Sequence, residues 1–111
     1  MPLPNGLYKI AFRSASGTDY GVAYMQDGRL RGGDSGMAYV GSYEQDGDLL
    51  TVQLSVTQHR AIAGGIGNIL GYPNIHIEMA GLIDDGRLNL RGTSKEVPSV
   101  RFEARLSHLA D

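Results

Sequence analysis

The sequence predicts an all-β domain: about eight antiparallel strands joined up-and-down into a barrel, with one Gly-rich loop or short helical turn near residues 60–73. Three observations predict it. Apolar residues recur at every second position along most of the chain, the period of a half-buried strand. Asp27-Gly28, Asp46-Gly47 and Asp85-Gly86 stand between such runs, and Asp-Gly suits tight hairpin turns because both residues tolerate positive φ. The connections are short, so neighbouring strands run antiparallel. Closing the sheet removes its edges and leaves an interior wide enough for side chains or one small ligand. A flattened two-layer sheet is the alternative that the same alternation allows.

Each element follows from its pattern. In residues 7–13, Tyr8, Ile10 and Phe12 share one face, and Lys9 and Arg13 the other. The turn Ser14-Ala15-Ser16-Gly17 leads to a second strand, 19–26, with Tyr20, Val22 and Tyr24 on one face and the small Gly21 and Ala23 opposite. After Asp27-Gly28, a short strand over 29–31 ends at Gly32-Gly33-Asp34. Residues 36–44 set Ala38 and Val40 against Met37, Tyr39 and Tyr43. The fifth strand has the cleanest alternation, Leu50, Val52, Leu54 and Val56 against Thr51, Gln53 and Ser55, and therefore one wet face.

After His59 the rhythm breaks. Residues 61–74 mix Gly64, Gly65, Gly67 and Gly71 with Ile62, Ile66, Ile69 and Leu70. Glycines at about 1 kcal/mol each oppose a long helix, so an apolar loop packed on the sheet, with at most one helical turn, is expected. Alternation returns over 75–83, where Ile75, Ile77 and Met79 oppose His76 and Glu78. Leu88 and Leu90 mark the next strand, over 87–92. A polar loop over 95–99 leads to the last strand, 100–106, where Val100, Phe102, Ala104 and Leu106 alternate with Arg101, Glu103 and Arg105.

A length of 111 residues suits a single domain with one modest core. A formal net charge of −2 gives no bulk attraction to nucleic acid or anionic membrane. The chain has 0 cysteines, which excludes disulfides, thiolate metal sites and a cysteine nucleophile. The opening Met1-Pro2-Leu3-Pro4-Asn5-Gly6 lacks the charged and apolar regions of a signal peptide. No apolar run approaches the roughly 18 residues of a membrane span. A soluble, cytoplasmic domain is expected.

Chemistry-bearing patterns are sparse. Gly33-Asp34-Ser35-Gly36 matches much of the nucleophile segment of trypsin-like proteases, with Met37 in place of the final glycine. That enzyme needs a second barrel and a histidine held by a buried aspartate, so the stretch reads better as a loop or bulge. The 3 histidines, His59, His76 and His108, are scattered. His76 and Glu78 share a strand face without an evident third ligand, which suits a solvated or cross-strand pair more than a metal site. The terminal segment around His108 is expected to fray. Residues 64–71 lack the Lys-Ser/Thr of a phosphate-binding loop and the spacing of a dinucleotide fingerprint. No catalytic residue, metal or cofactor is expected, and the chain reads as a non-enzyme.

Of the 6 tyrosines, Tyr8, Tyr20, Tyr24, Tyr39 and Tyr43 fall in the first four strands, and Tyr20, Tyr24, Tyr39 and Tyr43 are candidates to line a cavity for a small apolar ligand. Basic residues do not cluster with these rings, so no platform for direct nucleic-acid binding of the kind single-strand binders use is expected.

Gly6-Leu7-Tyr8-Lys9-Ile10 with Phe12, then Leu30-Arg31-Gly32-Gly33-Asp34, Tyr39, Gly41 and the acidic turn Glu44-Gln45-Asp46-Gly47-Asp48, resemble the GrlR-type negative regulators of bacterial type III secretion. The resemblance covers roughly the first half of the chain, through about Val56; beyond it only the strand rhythm agrees. It implies a lipocalin-like barrel, a homodimer, and inhibition of a transcriptional activator by direct binding. It also implies that the acidic turn contacts that partner, at Glu44, Asp46 and Asp48. Here Gln45 and Gly47 interrupt the acidic run. Two functions are therefore expected to compete: a regulatory protein that binds a protein partner, and a carrier whose tyrosine-lined cavity holds a hydrophobic ligand.

Overall fold

The computed structural model describes residues 3–15, 17–60, 74–84 and 87–111. The glycine-rich stretch of 61–73 and the Asp85-Gly86 turn lie outside the described residues. The strands are β1 (Gly6–Ser14), β2 (Gly17–Gln26), β3 (Arg29–Gly33), β4 (Met37–Asp46), β5 (Leu49–Gln58), β6 (Asn74–Asp84), β7 (Arg87–Ser94) and β8 (Arg101–Ala110). Each pairs antiparallel with the next, and β8 returns to β1, so the sheet closes as an eight-stranded barrel. Closure decides against the flattened two-layer alternative, and the all-β expectation holds. No helix among the described residues is long and apolar enough to cross a membrane.

The tight turns show why Asp-Gly stands where it does. Gln26 pairs with Arg29, leaving Asp27 and Gly28 as the loop, with φ of 50° and 84°. Positive φ at both central residues matches the right-handed twist of the flanking strands. In the β4–β5 hairpin Asp46 pairs with Leu49, so the loop is Gly47-Asp48, one residue later than Asp46-Gly47. Only Gly47 of the two needs positive φ, at 62°.

Alternation sorts the barrel into a dry inside and a wet outside. Tyr8, Ile10, Phe12, Leu50, Val52, Leu54, Val56, Ile75, Ile77, Met79, Leu88, Leu90, Phe102, Ala104 and Leu106 are all buried, and belong to one continuous core. Burying each large side chain contributes about 1.5–3 kcal/mol before the entropy of ordering it. The rings of Phe12 and Tyr39 meet edge to face at 5.2 Å, the geometry that the ring quadrupoles favour. Side chains thus occupy the axis.

Strand β2 corrects one expectation. Ala23 and Met25 point inward, while Tyr20, Val22 and Tyr24 are exposed. The reason lies across the barrel wall. A Cβ added at Gly21 would meet the Tyr39 hydroxyl at 2.6 Å and its ring at 2.7 Å. The small face of β2 makes room for Tyr39, and its bulky face therefore turns to solvent.

Polar ties hold the lower barrel end, and apolar side chains pack at the upper one. At the lower end Leu3 tucks under the core, and its N–H donates to Gln45 Oε1 at 2.7 Å. The Tyr8 hydroxyl donates to the Pro4 carbonyl at 2.7 Å, and Asn5 exchanges hydrogen bonds with Asp27. At the upper end Val97 and Val100 of the β7–β8 connection pack on the core. The C-terminal segment does not fray: β8 stays paired to β1 through His108 and Ala110, and the His108 ring meets Tyr8 edge-on at 5.2 Å.

Candidate functional site

Three groupings of polar residues emerge from the closed barrel, and the most exposed is the β4–β5 tip. Glu44 and Asp46 point outward from β4, and Asp48 sits in the loop; all three are exposed. None of them makes an ion pair among the described residues. Gln45, which interrupts the acidic run, points the other way. Besides accepting from Leu3, its amide donates to the Gly47 carbonyl at 2.9 Å. An acid at that position would bring a charge into the barrel's lower end, so the interruption has a packing cause.

The tip is also apolar. Leu49 lies opposite Asp46 on one side and Leu82 of β6 on the other. These leucines are 43 % and 64 % exposed, adjacent, and outward-facing. The Ile83 N–H donates to the Asp48 carbonyl at 2.8 Å, which fastens the loop to β6. Sequence reasoning missed both leucines. They sit at strand ends, where alternation fades, and only the β5–β6 register brings them together.

The second grouping is the β3–β4 turn. Asp34 Oδ1 accepts from the N–H groups of Gly36 and Met37 at 2.9 and 2.8 Å, while Oδ2 accepts from the Tyr39 hydroxyl at 2.6 Å. The Asp34 N–H donates to the Met37 carbonyl. His59 approaches, but its Nε2 donates to the Asp34 carbonyl at 3.0 Å, and Arg60 donates to the Ser35 carbonyl. Gly-Asp-Ser-Gly is therefore a carboxylate-organised turn in which the nearby histidine is engaged with backbone. Burial, and then the hydrogen bond and charge of Asp34, push the Tyr39 phenol far above its ordinary value of 10.0.

The third is His76. Its Nδ1 lies 2.7 Å from Glu96 Oε1, and its backbone N–H donates to the same oxygen at 2.9 Å. Ser94 donates to Glu96 Oε2 at 3.1 Å. The partner is thus Glu96, from the β7–β8 connection, rather than Glu78. The His76 hydrogen bond, with further help from Ser94, holds the Glu96 carboxyl down at about 2, against an ordinary 4.5. Among the described residues no group of three or more His, Cys, Asp or Glu could hold a metal ion. His76 also borders a shallow outer-face groove of about 620 Å³, lined in addition by Val40, Ser42, Gln53 and Glu78.

The tyrosines expected to line one cavity do not converge. Tyr39 is a core residue, Tyr43 is half-buried, and Tyr20 and Tyr24 stand on the outer surface. The barrel wall separates them. In comparisons with family models and with curated proteins, the sequence matches none.

Proposed function

We propose that this protein is a non-enzymatic interaction protein that docks on a protein partner through its β4–β5 tip. The observation that carries this reading is the Leu49–Leu82 pair, exposed and flanked by the exposed carboxylates of Glu44, Asp46 and Asp48. Exposed apolar anchors with a charged rim are the usual anatomy of a recognition surface. The leucines supply affinity on desolvation, and the carboxylates raise the on-rate and select a cationic partner. The partner surface is accordingly apolar with a basic border. The resemblance in the first half of the chain extends the reading to a cytoplasmic negative regulator, homodimeric, whose partner is a transcriptional activator.

The experiment is affinity capture from an extract of the source cells, with the captured protein identified and then titrated against the purified chain. Glu44→Ala/Asp46→Ala/Asp48→Ala slows association, and Leu49→Ser/Leu82→Ser removes binding, each with the thermal transition unchanged. A partner bound equally well by both variants contradicts the assignment.

A further inference from the structure

Strand register assembles a basic surface that linear spacing hides. On the outer face of β7, β8 and β1, Arg91 stands opposite Glu103, and Glu103 opposite Arg13. One row away Arg105 faces Ala11, and Ala11 faces Tyr20. In the next row Arg87 faces Ser107, Ser107 faces Lys9, and Lys9 faces Val22. Arg101, opposite Thr93, extends the face upward. These cations are all exposed, and among the described residues their only ion pair is Arg91–Glu103, at 3.7 Å and open to water. A chain of net charge −2 thus carries a wall on which cations outnumber carboxylates: Glu103 lies among them, and the exposed Asp84 of β6 stands opposite Arg87 at the edge.

The wall carries uncovered rings. Tyr20 is 63 % exposed, and its neighbour across β1 is only an alanine. Tyr24, four residues on, is 39 % exposed, with the 43 % exposed Val22 between them. The two tyrosines stand about 13 Å apart along the strand.

We propose that this face binds single-stranded nucleic acid, with phosphates following Arg13, Arg105 and Lys9 and bases stacking on Tyr20 and Tyr24. A cationic track beside exposed aromatic rings is what sequence-tolerant single-strand binding requires, because every base offers a π face. An acidic polypeptide would satisfy the cations but leave the rings unused. The face spans β7, β8, β1 and β2, away from the β4–β5 tip, and it does not depend on the docking role proposed for that tip.

The test is fluorescence anisotropy of the full chain with a labelled oligothymidylate of about a dozen nucleotides, from low salt upward, with polyglutamate as competitor. The oligonucleotide binds, and its affinity falls log-linearly with salt. Arg13→Gln/Arg105→Gln weakens binding at least about tenfold and reduces the salt slope by about 1.4, near 0.7 for each phosphate that is no longer neutralised. Tyr20→Ala weakens it about tenfold at unchanged slope. All three positions are exposed, so circular dichroism melts stay at the wild-type temperature. The acidic-tip alanine variant keeps full oligonucleotide affinity. Absence of binding at low salt overturns the proposal. So does unchanged affinity in Tyr20→Ala together with equal competition by polyglutamate, which reassigns the face to an acidic polypeptide.

Discussion

Tyr39 donates its phenolic hydroxyl to Asp34 Oδ2 at 2.6 Å, tying the barrel interior to the turn that opens β4. The same carboxylate holds two backbone N–H groups of that turn, so one side chain links a loop conformation to the core. Tyr39→Phe removes the tie without changing the ring. It is expected to cost about 1–2 kcal/mol, since it unmakes a hydrogen bond to a carboxylate. Urea denaturation measures the loss directly.

Alkaline pH weakens the same tie by linkage. Burial first, then Asp34, raises the folded-state pKa of Tyr39 above its ordinary 10.0. The stabilisation is therefore complete below about 10 and declines as pH rises beyond it, because the unfolded chain ionises first. Stability of the wild type falls between roughly pH 9.5 and 11. In Tyr39→Phe the fall is shallower, and Tyr8 and Tyr43, whose pKa values are also raised, account for the remainder.

Glu96 contributes to the acid limb. Its folded pKa is lowered to about 2 from 4.5, chiefly by the His76 hydrogen bond, so its contribution is present above 4.5 and lost as pH falls through about 2. Carboxyl carbon shifts followed by NMR are expected to place the Glu96 midpoint near 2 in the wild type. In His76→Ala the midpoint moves up toward the ordinary value. An unmoved midpoint means that His76 does not set it.

Gly21 is required by its neighbour rather than by its own backbone. A methyl group there meets Tyr39 atoms at 2.6 and 2.7 Å and the Gly33 carbonyl at 2.9 Å. Gly21→Ala is expected to destabilise by about 1–3 kcal/mol through overpacking. Combined with Tyr39→Leu the cost is less than additive, because both substitutions act at one point of packing. A double-mutant cycle by urea denaturation reads the coupling.

Strand order and most facings were legible in the sequence, because strands such as β5 and β8 each have one dry face and so alternate cleanly. Strand β2 was not. Its tyrosine-valine face is the more apolar by composition, yet it faces water, since the opposite strip of Gly21 and Ala23 is what accommodates the Tyr39 ring. Composition records how greasy a face is, whereas packing depends on the volume left by other strands. The acidic tip was visible as a run of charges. Its leucines, the His76–Glu96 pair and the basic wall were not visible, because each arises from residues far apart in the chain that only register aligns. No local pattern encodes such a neighbour.

Outer-surface recognition is tested most simply by an amide chemical-shift map, recorded by NMR as the captured partner is titrated in. Perturbations should concentrate at Glu44, Asp46, Asp48, Leu49 and Leu82, while Tyr8, Tyr39 and Phe102 stay in place. A map centred on those interior rings, with the tip silent, rules out docking at the tip and returns the function to the barrel's axis.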